Sequence, residues 1–265
     1  MSYIKEIYDI FKKSSGVYSD SRNPIKNGLF FALSGDKHNG NDYALESLRK
    51  GAINAVVDNE ELASKSNKII YVKNTLETLQ SLASFHRQKF KCPVFAITGS
   101  NGKTTTKELL KIVLSKKFNT HATIGNLNNH IGVPMTILNT PISSDFLIIE
   151  MGANHLNEIK TLCQIAKPTH GFITNFGLAH LEGFGGKEGV INGKSELYDF
   201  LDSSNGEIFV NQDNQNQIKK LGNKKYISFG QKEKADFNLI SVSYTHLRAH
   251  ETRGNLVWRG VGEKK

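Results

Sequence analysis

The chain has 265 residues, 38% hydrophobic and 22% charged, which suits one large or two ordinary globular domains. Its uninterrupted apolar runs are only a few residues long, far short of the ~20 that cross a bilayer, so no membrane insertion is expected. The formal net charge is +9, from 34 basic and 25 acidic residues, but the lysines are scattered and no basic run is interleaved with aromatics. That distribution argues against a nucleic-acid partner and for a solvated surface that also suits a small polyanionic substrate.

Met1 to Lys13 reads as an amphipathic helix carrying acidic residues, not as a signal peptide. Ser19-Asp20-Ser21-Arg22 precedes a strand at Leu29–Leu33, which runs into a glycine-rich polar turn, Ser34–Asn41. A helix around Ala44–Lys50, strands at Asn54–Asp58 and Ile69–Val72, and a helix from Leu76 to about Lys89 make a small α/β unit. Lys91-Cys92-Pro93 marks a boundary, since proline ends a helix and starts a new strand. Cys92 and Cys163 lie far apart and form no metal spacing, so a reducing cytoplasmic compartment is expected.

Val94 to Thr98 reads as a short buried strand, and Gly99-Ser100-Asn101-Gly102-Lys103-Thr104-Thr105 then turns into a helix. That helix is predicted from Thr104 to about Lys117, with Leu109, Leu110, Val113 and Leu114 on one side. Strand, glycine turn and helix form a phosphate cradle. Backbone N–H groups at the helix start point at the anion, and the helix dipole favours its charge. Lys103 would reach the β- and γ-phosphates of a nucleotide, and the Thr104 hydroxyl would sit on Mg²⁺. The pattern departs from the general one at Ile97, where the first glycine would stand. A plain strand-to-helix turn is the other reading of Gly-Lys-Thr.

Beyond the loop, apolar strands alternate with helices. Phe146–Ile149 ends in Glu150, a helix spans Asn157 to Ala166, and Gly171–Thr174 ends at Asn175. A helix from about Lys187 to Leu201 leads to Glu207–Val210, a short helix and Lys225–Phe229. Strands apolar throughout argue for a parallel sheet covered on both faces, with ligands at its carboxyl edge. Gly99, Glu150, Asn175 and Asn211 would share that edge. Ser241 to Lys265 continues neither rhythm and reads as an extraneous or poorly ordered tail.

Five further segments carry chemical residue types: the amide-rich loop Gly125–Pro134, Glu150-Met151-Gly152-Ala153-Asn154, Asn175–Glu182 with His180, Gly193-Lys194-Ser195-Glu196, and Asn211-Gln212-Asp213. Together with Asp20-Ser21-Arg22 and Gly28–Gly35 they resemble the Mur ligases, ATP-dependent enzymes that build the peptide of the peptidoglycan precursor. The resemblance covers about residues 15–240. Glu150–His155 and Ala179–Gly185 resemble the dipeptide-adding member in particular.

The resemblance implies an α/β chain with a UDP-binding first domain at residues 1–90 and a P-loop parallel-sheet ATPase domain at 91–240. The third, C-terminal domain of the family has no counterpart, and the central domain is expected to be incomplete. It implies a monomer that uses ATP and Mg²⁺ to join D-alanyl-D-alanine to UDP-N-acetylmuramoyl-tripeptide through an acyl phosphate. Gly99 to Thr105 would bind ATP. Thr104, Glu150, His180 and a carbamylated Lys194 would hold two metal ions, with Lys103, His180 and Lys194 catalytic. Ser21, Arg22, Ser34 and Gly35 would bind the UDP end, and Asn128 and Asn129 would orient phosphate and substrate. Blander readings stand beside these: Glu150 as a helix cap, His180 as a hydrogen-bonded structural group, the two asparagines as turn residues, Lys194 as a solvated helix lysine. An amino-acid-adding Mur ligase, folylpolyglutamate synthase and an inactive binding fragment are the competing functions.

Overall fold

The computed structural model describes residues 2–35, 38–177, 180–231 and 235–238. Asp36, Lys37, Leu178, Ala179 and the predicted tail lie outside the described residues. The elements run α1 (Ser2–Phe11), β1 (Val17–Tyr18), β2 (Leu29–Phe31), α2 (Ala44–Arg49), β3 (Asn54–Val57), α3 (Glu60–Ala63), β4 (Ile69–Tyr71) and α4 (Thr75–Arg87). Then come β5 (Val94–Thr98), α5 (Lys103–Leu114), β6 (Thr120–Ala122), α6 (Gly132–Leu138), β7 (Phe146–Glu150), α7 (Glu158–Ala166) and β8 (His170–Ile173). The chain continues through α8 (Leu181–Phe184), α9 (Lys187–Ser203), β9 (Glu207–Asn211), α10 (Gln215–Leu221), β10 (Ile227–Gly230) and β11 (Phe237–Asn238).

Two compact units result, one of residues 1–91, 130–143 and 164–167, the other of the remaining described residues. The first holds a parallel sheet in the order β1-β2-β3-β4. Leu29, Phe30 and Phe31 of β2 are all buried, as a strand covered on both faces requires. Asparagines start its helices: Asn59 accepts from the Glu61 N–H, and Asn74 from the Glu77 N–H. The edge of β1 is closed by the Asn139 amide, which accepts from Val17 N–H at 2.8 Å and donates to Val17 O at 3.0 Å. Residues 130–143 and 164–167, which the sequence places in the second domain, therefore cluster with the first unit. Helix α6 packs against α4, and all seven of its residues are buried.

The second unit is built on a fully parallel sheet, β11-β10-β9-β8-β5-β7-β6. Strand β5 lies where the order reverses, with β7 on one side and β8 on the other. Adjacent crossovers leave such a point in opposite directions and open a crevice at its carboxyl edge. Helix α5 differs from expectation. Leu110 and Leu114 pack on the cluster of Ile97, Ala122 and Ile148, but Leu109 and Val113 are 54% and 67% exposed. The apolar stripe facing the sheet is thus narrower than the sequence suggests. Among the described residues, no helix is long and apolar enough to cross a membrane.

Burial also sets a pH dependence in the first unit. His86 lies between the rings of Tyr8, Phe11 and Phe90, and its Nδ1 is 3.2 Å from the Tyr8 hydroxyl. Desolvation lowers its pKa, opposed by a backbone hydrogen bond at Thr140. The unfolded chain then holds the extra proton first, so this contribution is lost as pH falls below the ordinary histidine value of about 6.5. Urea unfolding at pH 5.5 and 7.5 should show a smaller acid loss in His86→Leu than in the parent chain. Equal losses in both would contradict the assignment.

Candidate active site

The carboxyl edge of β5 carries the glycine turn expected to bind phosphate. Gly99 has φ +143°, and a Cβ there would run into the side chain of Thr174. Gly102, at φ 78°, precedes α5 in the left-handed region and offers no side-chain cap. The first N–H groups of this 12-residue helix therefore face outward without a side-chain acceptor of the cap type. Ile97 is fully buried in β5, aligned with Glu150 and Phe172 on its neighbours. That position belongs to the core, so the loop begins only at Gly99, which accounts for the missing glycine.

The loop is braced from the segment after β8. Ser100 N–H donates to Asn175 O, and the Ser100 hydroxyl both donates to Gly177 O and accepts from Gly177 N–H. Asn175 holds Asn101 from two sides: its Nδ2 donates to Asn101 O at 3.0 Å, and its Oδ1 accepts from Asn101 N–H at 3.2 Å. The Thr174 hydroxyl donates to the same Asn101 carbonyl. None of these contacts is visible as a sequence motif.

Opposite the loop, Glu150 ends β7 and is 1% exposed. Its Oε2 accepts from the Thr104 hydroxyl at 2.9 Å, its Oε1 from Asn128 Nδ2 at 2.8 Å, and its own N–H donates to Thr123 Oγ1. Lys107, one turn beyond Lys103, is fully buried and places Nζ 3.9 Å from Glu150 Oε2. It donates to Thr123 O at 2.7 Å and Gly125 O at 3.4 Å, and pairs with Glu108 at 3.0 Å. Nothing in its immediate sequence separates Lys107 from a surface lysine, although its i+4 spacing from Lys103 puts the two on one helix face. Lys103 itself folds back, donating to Gly99 O at 2.8 Å and Ser100 O at 3.3 Å. Burial lowers its pKa, and the charge of Glu150 opposes that shift.

The donor set fits Mg²⁺. A hydroxyl and a carboxylate oxygen, brought together at 2.9 Å by the Thr104–Glu150 hydrogen bond, are hard oxygen ligands of the kind this ion would take. Among the described residues, no three His, Cys, Asp or Glu side chains converge as a metal cage. Mg²⁺ is commonly held by one or two carboxylates with phosphates completing the shell.

The remaining predicted residues are more scattered. Lys194 on α9 is 1% exposed, with Nζ 5.2 Å from the centre of the Phe184 ring. Burial and the neighbouring charge of Lys103 pull its pKa down to about 8, opposed by Glu158. A cation over a ring favours the charged form, so Phe184 works against that shift. His180 is exposed, with φ 58°, just before α8. Among the described residues, no hydrogen bond joins its ring to Glu150, Thr104 or Lys194. Thr105 and Asn129 are exposed. In the first unit, Ser21 and Arg22 follow β1, and Ser34 and Gly35 follow β2, at one edge of the parallel sheet. Arg22 is held by both oxygens of Asp20 at 2.9 and 3.0 Å, and the Ser34 hydroxyl donates to Asn39.

Residues 97–258 match the Mur ligase middle domain, a span that runs on past the described residues. Relatives include the UDP-N-acetylmuramoyl-tripeptide–D-alanyl-D-alanine ligase of Rickettsia prowazekii, 37% identical over 84% of this chain and 51% of the relative. The enzyme of the same name from Escherichia coli is 35% identical over 91% of this chain and 53% of its own length. The MurF ligase of Thermotoga maritima, solved in complex with ADP, superposes with a TM-score of 0.75 and 31% identity, over 84% of this chain and 51% of that one. MurF from Acinetobacter baumannii gives 0.73 and 32%, over 81% and 48%. The chain spans about half the length of the curated relatives it matches.

Lys107 supplies the testable consequence of this geometry. Lys107→Met keeps the length of the side chain but leaves the buried Thr123 carbonyl without its donor and Glu150 without its nearest cation. The expected loss of stability is about 3 kcal/mol, read from the urea midpoint at unchanged m-value. A loss below about 0.5 kcal/mol, the range of ordinary surface changes, would contradict it.

Proposed function

The chain belongs to the Mur ligase family, and from that premise we propose that it forms the UDP-binding and ATP-binding parts of the ligase that adds D-alanyl-D-alanine to UDP-N-acetylmuramoyl-tripeptide. One observation carries the reading: Lys103 and Thr104 open a helix at a glycine turn, and Thr104 is hydrogen-bonded to a buried carboxylate on the neighbouring strand. The named relatives favour the dipeptide-adding ligase over the amino-acid-adding one.

In the proposed reaction the tripeptide carboxylate attacks the γ-phosphate of ATP and releases ADP. The amine of D-alanyl-D-alanine then displaces phosphate from the resulting acyl phosphate, losing a proton as the amide forms. Both partners of the first step are anions, so charge neutralisation and positioning supply most of the catalysis. The N–H groups of Gly102 to Thr104 and the helix dipole receive the phosphates. Lys103 releases its hold on the Gly99 and Ser100 carbonyls and turns its ammonium to the phosphate oxygens. Thr104 and Glu150 hold Mg²⁺, which neutralises charge on the phosphates when bound. Asn128 keeps Glu150 turned toward Thr104 by occupying its other oxygen. Lys194, carbamylated, and His180 would serve a second ion, and Asn129 the substrate. Ser21, Arg22, Ser34 and Gly35 of the first unit would take the uridine diphosphate end. Neither nucleic acid nor membrane insertion enters the proposal, and the enzyme acts as a monomer.

The direct test sets this chain beside a chimera that continues into the remaining length of the Thermotoga maritima relative. The chimera should release phosphate and form an amide with D-alanyl-D-alanine, and phosphate release without amide formation would contradict the reading. Preference of the chimera for a single amino acid would favour the amino-acid-adding ligase.

Single residues give narrower tests. Lys103→Ala should weaken ADP binding by about 10²-fold, as expected for a phosphate-contacting charge in a preorganised site, at an unchanged melting temperature. Parent-like affinity in that variant would remove the phosphate loop from the account. Carbamylation of Lys194 needs the neutral amine, which becomes the main form above pH about 8. In protein equilibrated with ¹³CO₂ at fixed dissolved CO₂, a carbamate carbon signal should grow from pH 7 to 9 and be missing in Lys194→Ala. A signal that survives in the variant would belong to another amine.

A further inference from the structure

Gln217 lies on α10 and is fully buried. Its side-chain amide bridges two strand ends. Nε2 donates to Ile173 O at 2.6 Å and to Thr174 O at 3.3 Å, at the carboxyl end of β8. Oε1 accepts from the N–H of Asn211, the last residue of β9, at 3.3 Å. The position is set locally, because the Asn214 side chain caps α10 by accepting from the N–H groups of Asn216 and Gln217.

The bridge stands where the sheet divides. Strands β8 and β9 pair up to Phe172 and Phe209, whereas β8 and β5 remain paired one residue further, at Ile173 and Thr98. Beyond Phe172, the Ile173 carbonyl on the β9 side has no strand partner to receive it. A buried carbonyl left in that condition is costly, and the Gln217 amide removes the deficit. It does so at the residues that brace the phosphate loop. Thr174 donates through its hydroxyl to Asn101 O, and Asn175 grips Asn101 from both sides.

We propose that Gln217 is a positioning residue for nucleotide binding, which fixes Thr174 and Asn175 and through them the Ser100–Asn101 turn of the phosphate loop. It touches no ligand itself. Breaking the bridge frees Thr174 and Asn175 together, so loss of the Thr174 hydroxyl, one of the links to Asn101, should add nothing once the bridge is gone. The inference rests on the reading of Gly99 to Thr105 as a nucleotide site.

The test is ADP affinity in the presence of Mg²⁺, measured by calorimetry for the parent chain, Gln217→Met, Thr174→Val and the double variant, with urea unfolding of each. Gln217→Met keeps the volume of the side chain and removes its hydrogen bonds. Each single variant should weaken ADP roughly tenfold, which corresponds to about 1.4 kcal/mol, and the double variant should be no weaker than the worse single one. Parent-like affinity in Gln217→Met alongside a lower urea midpoint would overturn the proposal and leave the residue a purely structural role. Effects that multiply in the double variant would overturn it too. A measurement on the unmutated chain keeps the idea open to refutation if Gln217→Met does not fold. By NMR, the Gln217 side-chain amide protons should exchange more slowly with water once ADP is bound, and this slowing should vanish in Thr174→Val. Exchange indifferent to ADP would contradict the path. Failure of the parent chain to bind ADP at all would instead count against the nucleotide site.

Discussion

The site depends on one carboxylate held in a place with almost no water. Glu150 ends the strand beside β5 and is buried, so its charge must be met by the protein itself. Thr104 and Asn128 each take one oxygen, and Lys107 stands behind with its ammonium 3.9 Å away. The two hydrogen bonds fix the direction of the carboxylate, and the lysine contributes fixed positive charge without occupying a lone pair at hydrogen-bond distance. One oxygen therefore stays directed at the hydroxyl that opens α5. That geometry suits a hard divalent ion carried in with phosphates.

Everything around this pair is arranged by the parallel sheet. Because all the strands point one way, the residues that end β5, β7, β8 and β9 come to one edge, and the reversal of order at β5 opens a crevice between two of them. The phosphate loop leaves from one side of that crevice and Glu150 from the other. The third wall is the segment after β8, whose hydrogen bonds to Ser100 and Asn101 hold the loop from outside. A phosphate loop works by presenting N–H groups already in place, so on the proposed reading the rigidity supplied by these neutral hydrogen bonds would act on nucleotide affinity.

Much of this arrangement is legible in the amino-acid sequence. The apolar run Val94–Thr98, the glycine turn and the helix with Lys103 and Thr104 form a local pattern, and the residues that make a local pattern stand side by side in the chain. Glu150 at the end of an apolar run is legible for the same reason. Lys107, Thr174 and Gln217 are not, because a buried polar residue looks like a surface one until its partner from elsewhere in the chain is known. Strands β1 and β11 are only two residues long, and β6 is Thr-His-Ala, so no apolar run or period marks any of the three. The outer leucine and valine of α5 mislead in the opposite direction, since an apolar residue on a helix need not face the core. Residues 130–143 join the first unit through contacts that α6 makes with α4, which no local signal records.

We propose that Thr104 and Glu150 together hold the divalent ion of a nucleotide bound at Gly99 to Thr105. The most direct measurement is the affinity for ADP with Mg²⁺ and with EDTA, in the parent chain and in Glu150→Gln. The amide of glutamine keeps the size of the side chain and can still meet Thr104 but is a far poorer ligand for a hard cation. Removal of Mg²⁺ should weaken ADP binding in the parent chain and make no difference in Glu150→Gln. A full Mg²⁺ dependence retained in Glu150→Gln would place the ion elsewhere and contradict the account.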